Sequence, residues 1–153
     1  MNTISGLKMA LALSLPLMLG VGPCERMPGG VLNGPVASAP VDDWSALNED
    51  LGLCAIESRP AFPHSVTVAC WREGPDLYVG CMSCDGKMWS DYISADPRAR
   101  IKIGETVYPV HMNRIVDRSQ MQGPWEARLA ARGVDTDRPI PESYWLWRLT
   151  SRP

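Results

Sequence analysis

Cys81-Met82-Ser83-Cys84 is the one short motif in this sequence that invites a chemistry of its own. Two cysteines at this spacing form a redox dithiol or half of a zinc site. The zinc reading needs two further ligands. His64, His111, Cys54 and Cys70 offer the right side chains but lie at no recognised finger spacing. A thioredoxin-like role wants the pair at a helix start within a βαβ unit, whereas Asp85-Gly86 intervenes before the next helical segment. A structural disulfide, within the pair or to Cys54 or Cys70, is the expectation for an oxidising compartment. His64 and His111 are too far apart in sequence to suggest a catalytic histidine pair. No G-x-S-x-G, H-E-x-x-H, Walker or dinucleotide glycine pattern occurs, so hydrolase and nucleotide-binding readings lack their residues.

The elements that must position these cysteines begin after an address. Residues 1–8 carry Lys8 and no acid, and residues 9–22 are uncharged and mostly apolar. Fourteen such residues reach roughly 21 Å, short of the ~30 Å hydrocarbon core, so residues 1–23 read as a signal or anchor segment. Cys24 stands where a lipid-modified cysteine would, with Pro23 departing from the usual small residue. The expectation is an exported protein of the periplasm or cell envelope, with a membrane tether as the alternative to cleavage. With 15 basic against 17 acidic side chains the chain has no cationic surplus for a phosphate backbone, which excludes nucleic acid as a partner.

Residues 24–52 are rich in proline and glycine and read as an irregular arm, with Trp44, Leu47 and Leu51 pinning its end. From residue 53 the apolar period becomes two. Strands are expected at 53–57, 65–71, 77–81, 98–103, 106–116 and 143–150, with Pro109 at an edge or bulge of the fifth. Ala99, Ile101 and Ile103 point inward and Arg98, Arg100 and Lys102 outward. Helices are expected over 87–95, stopped by Asp96-Pro97, and from Pro124 to a terminator at Gly133. Hairpins without βαβ alternation predict a mainly β (α+β) antiparallel barrel of about six strands with two short helices over 53–153.

Three features carry a resemblance: the hairpin ending DLYVG, the helix containing Lys87-Met88-Trp89, and Asp96-Pro97-Arg98-Ala99-Arg100 running into a strand closed by Gly104. Together they resemble the split β-barrel superfamily of pyridoxamine-phosphate-oxidase-like and deazaflavin-dependent nitroreductase-like proteins. The resemblance implies a homodimer holding FMN or deazaflavin at its interface and reducing a small organic acceptor. It also implies that Arg59, Ser83, Lys87 and Ser90 hold the cofactor phosphate, with Trp89, Tyr92, Trp145 and Trp147 as candidate ring walls and Tyr108 as a candidate proton donor. Trp89 and Asp91 stand where several flavin-binding members show cations. The alternative is a non-catalytic envelope module that keeps the barrel for ligand binding or dimerisation.

Overall fold

The computed structural model describes residues 29–47 and 51–153. The expected signal segment 1–23 and Cys24 lie outside the described residues. Six strands, β1 (Leu53–Ser58), β2 (His64–Glu73), β3 (Asp76–Met82), β4 (Arg98–Ile103), β5 (Thr106–Ile115) and β6 (Tyr144–Ser151), close into a barrel in the order β1-β2-β3-β6-β5-β4. Every neighbouring pair is antiparallel. Helix α1 (Met88–Ala95) joins β3 to β4, and α2 (Gln122–Ala131) joins β5 to β6. The expected mainly β split barrel with two short helices is the architecture found.

Alternation fills the barrel. Ile56, Val68, Cys70, Leu77, Val79, Ala99, Ile101, Ile103, Val110, Met112, Trp147 and Leu149 are buried in one cluster, each two residues from the next on its strand. Pro109 pairs with Arg100 of β4, while the β5·β6 ladder starts at Val110↔Ser151. Its carbonyl accepts from Arg152 N–H at 3.1 Å, so the proline closes the ladder where a donor is not needed. Gly104, at φ +56°, makes the two-residue turn between β4 and β5 that a side chain would strain.

The outer face of β2, β3 and β6 is buried as well. Trp71, Tyr78, Tyr144 and Leu146 pack under Met121, Trp125 and Leu129 of the α2 segment. Trp71 Nε1 donates to the Pro124 carbonyl at 2.8 Å. Burial on both faces explains why Tyr144–Trp147 reads as a continuous apolar run. Helix α2 starts at Gln122, two residues before the expected proline. Pro124 still falls in the first turn, where its missing N–H leaves no intrahelical bond unmade.

The arm lies against the barrel. Gly29 and Ser65 exchange backbone hydrogen bonds at 2.9 and 2.8 Å, and Val36 bridges Val107 in parallel. Trp44 is buried, edge-on to Tyr108 with ring centroids 5.5 Å apart, and its N–H donates to the Pro75 carbonyl at 2.9 Å. Arg72 donates to the carbonyls of Trp44 and Leu47. Trp44 is thus the pin the sequence leads one to expect.

Candidate functional site

Helix α1 organises the candidate site, because Arg59, Ser83, Lys87, Trp89 and Ser90 all lie on or beside it. At its start, Ser83 (φ +49°) and Gly86 (φ +74°) turn the chain out of β3, and Ser83 N–H donates to the Ser143 carbonyl at 3.0 Å. Lys87 Nζ donates to the Met82 carbonyl at 2.9 Å and lies 3.4 Å from Cys81 Sγ. Ser90 is fully buried, and its hydroxyl reaches the carbonyls of Cys84 at 2.6 Å and Lys87 at 2.7 Å. Trp89 packs against Trp147 at 5.1 Å between centroids, inside the core.

Toward the other end of α1, Arg59 ends β1 with a left-handed backbone (φ +59°). Its Nη1 donates to the Tyr92 hydroxyl at 3.2 Å, and the guanidinium carbon lies 4.9 Å from the Tyr92 ring centroid and 5.0 Å from that of Phe62. His64 meets Tyr92 edge-on at 5.7 Å. Asp96 closes the helix. Its carboxylate accepts from Arg98 N–H at 3.0 Å and takes the guanidinium in two arms, which holds its pKa down at about 2. The Asp96-Pro97-Arg98 marker is therefore a helix-stop and strand-start clamp.

A strip of exposed apolar surface runs along this helix. Phe62, Met88 and Met82 are 69%, 57% and 42% exposed. Met88 and Tyr92 are one turn apart, Phe62 and Tyr92 share Arg59, and Met82 adjoins Lys87. An anionic group needs N–H or O–H donors with open positions. Arg59, Lys87 and Ser83 are exposed and fit that need. Trp89 and Ser90 lie inside, the first in the core and the second bonded to two carbonyls of its own turn. Of the other aromatic candidates, Trp147 is core and Tyr108 is covered by Trp44. The Arg114 guanidinium caps Trp145 at 3.3 Å from the ring centroid.

The four described cysteines pair as Cys54–Cys70 and Cys81–Cys84, with Cα separations of 5.8 and 5.7 Å. Of the alternatives read from the sequence, the bond within the C-x-x-C pair is the one formed; Cys54 and Cys70 bond to each other and not to Cys81 or Cys84. Among the described residues no group of three or more His, Cys, Asp or Glu side chains could hold a metal ion. A groove of about 620 Å³ also opens between arm residues 29–33 and the strands β1, β2 and β4, with Ser65, Thr67 and Lys102 on its walls. Sequence reasoning missed it, because a groove made by an irregular arm has no periodic signature.

No family model and no curated protein matches this sequence. Solved structures do match. A candidate pyridoxamine 5′-phosphate oxidase from Listeria innocua is 15% identical with a TM-score of 0.52, over 66% of this chain and 84% of that one. A candidate 5-nitroimidazole antibiotic resistance protein from Bacteroides thetaiotaomicron is 9% identical with a TM-score of 0.53, over 75% of this chain and 83% of that one. An F420 reductase is 12% identical with a TM-score of 0.50, over 75% of this chain and 97% of that one. What these likenesses define is a fold class, the split β-barrel. At such identities the shared property is the fold.

Proposed function

We propose that this chain is an exported split-barrel oxidoreductase that holds FMN or a deazaflavin against α1 and reduces a small organic acceptor. One observation carries the reading. On a fold shared with an F420 reductase, two exposed cations, Arg59 and Lys87, bracket the exposed apolar strip of Phe62, Met88 and Met82. An apolar strip flanked by cations suits a flat anionic molecule, and a second copy seated on it would bury the three apolar side chains. Arg59, Ser83 and Lys87 would bind the anionic end through charge-assisted hydrogen bonds, while Phe62 and Met88 exclude water. The bound cofactor would supply the hydride or electron chemistry. Export rests on residues 1–23.

Fluorescence titration of the purified chain with FMN and with F420 tests this. The expected result is saturable quenching by one of them, weakened roughly tenfold or more by Arg59→Ala and by Lys87→Ala, the range of a lost hydrogen bond to a charged group. Equal affinity in both variants would remove the anchor assignment. Absence of binding by either cofactor would favour the second reading, a non-catalytic ligand-binding or dimerisation module. That reading is supported by the engagement of Lys87 with Met82 and by the groove beside Lys102.

A further inference from the structure

The two disulfides sit in opposite environments. Cys54–Cys70 joins β1 to β2 across 16 residues with both cysteines enclosed at 3% and 2% exposure, a position that serves the barrel wall. Cys81–Cys84 spans three residues at the exit of β3, where exposed Met82 and Ser83 form the turn. Cys84 is wholly enclosed, Cys81 keeps 9% of its surface, and the Lys87 ammonium stands 3.4 Å from Cys81 Sγ. The ammonium is fixed there by its 2.9 Å bond to the Met82 carbonyl, and Cys84 is fixed by its carbonyl bonds from Ser90 Oγ and Lys87 N–H. A cation beside one sulfur of a C-x-x-C pair favours its thiolate, the form that enters exchange.

We propose that Cys81–Cys84 is an exchange-active disulfide that passes two electrons to or from an external dithiol–disulfide couple, with Cys81 as the exchanging sulfur and Lys87 as the residue that stabilises its thiolate. A thiolate of the external dithiol attacks Cys81 Sγ. The Cys81–Cys84 bond breaks, and Cys84 leaves as a thiolate that takes up a proton. The second thiol of the external partner, deprotonated to its thiolate, then attacks the partner sulfur of the mixed disulfide. This closes the external disulfide and releases Cys81 as a thiolate facing Lys87. The partner is oxidised by two electrons and the protein is reduced by two. The reverse sequence oxidises the protein at the expense of an external disulfide. Nothing in this cycle uses a flavin, so its test is independent of the function proposed above.

The full chain is equilibrated with graded ratios of reduced to oxidised dithiothreitol, free thiols are trapped with N-ethylmaleimide, and the labelled cysteines are mapped by mass spectrometry. Cys81 and Cys84 are expected to label together at ratios that leave Cys54–Cys70 intact and the far-ultraviolet circular dichroism unchanged. In the reduced pair, the pH midpoint of Cys81 alkylation is expected below the ordinary thiol value of about 8.5. Lys87→Met should raise that midpoint by about one unit and Lys87→Arg restore it. Labelling of Cys54, Cys70, Cys81 and Cys84 together, only with loss of the fold, would overturn the proposal, as would a midpoint unmoved by Lys87→Met. If Lys87→Met does not fold, the wild-type midpoint decides, and a value at or above 8.5 overturns the assignment.

Discussion

Arg100 on β4 reaches the Glu57 carboxylate of β1 in a two-armed contact, Nε to Oε1 at 2.8 Å and Nη2 to Oε2 at 2.5 Å. The Glu57 side chain is only 6% exposed and that of Arg100 26%. The same carboxylate accepts the Leu32 N–H at 2.6 Å, so one buried acid joins two strands to the arm. Removing the cation alone leaves that acid uncompensated. Arg100→Met should therefore cost about 3–5 kcal/mol in urea unfolding, whereas Glu57→Gln combined with Arg100→Met should cost clearly less. If the double variant were as unstable as the single one, the penalty would lie in lost packing and not in the stranded charge.

The disulfides should differ in stability as they do in setting. A cross-link over 16 residues constrains the unfolded chain by about 3 kcal/mol and one over three residues by about 2 kcal/mol on the loop-entropy relation. Cys54→Ala with Cys70→Ala should lower the unfolding midpoint more than Cys81→Ala with Cys84→Ala. Thermal denaturation of the two double variants checks the order, and a reversed order would mean that the turn at Ser83 depends on its disulfide for more than entropy.

Most of the barrel was legible because its interior obeys a period of two. Ala99, Ile101 and Ile103 face inward as read, and Pro109, expected at an edge or bulge, sits just outside the start of the β5·β6 ladder. The outer cluster under α2 was not legible. Trp71 and Tyr144 occupy positions that alternation assigns to the exterior, and only the placement of α2, a tertiary fact, buries them. Arg100 likewise points outward as expected, yet it is largely covered where it pairs with buried Glu57, whose carboxylate also accepts the arm's Leu32 N–H. For the candidate site, Arg59, Ser83 and Lys87 lie on exposed surface around α1. Trp89 and Ser90 share that helix but face its other side, a distinction the resemblance could not make without the register of α1 against β6.

Gly80 illustrates what the outer cluster demands. A Cβ there would lie 2.0 Å from the Tyr144 hydroxyl oxygen and 2.7 Å from Trp71 Cη2. Gly80→Ala should destabilise the fold by roughly 1–3 kcal/mol through overpacking. Tyr144→Phe removes the nearer atom and should recover a part of that loss, so a double-mutant cycle should show coupling of at least about 0.5 kcal/mol. Strict additivity would show that β3 moves away from β6 instead of pressing on the ring.

Tyr144 also sets an alkaline limit. Burial pushes its pKa up to about 12, against the opposing pull of the Arg128 guanidinium, whose carbon is 5.3 Å from the ring centroid. A folded-state pKa above the unfolded value of about 10 means that the neutral phenol is favoured in the native state. The resulting stability is complete below pH 10 and is lost as pH rises from about 10 to 12. Tyr78, pushed up to about 12 chiefly by burial and then by Asp76, loses stability in the same window. The Tyr144 hydroxyl has no well-aligned hydrogen-bond partner, so Tyr144→Phe should leave stability at pH 8 unchanged or slightly higher. Between pH 10 and 12 the variant should retain on the order of 2 kcal/mol that the parent loses, Tyr78 accounting for the decline that remains. Urea midpoints at pH 8 and pH 11.5 for both proteins measure this, and parallel declines would show that the Tyr144 hydroxyl does not report on folding.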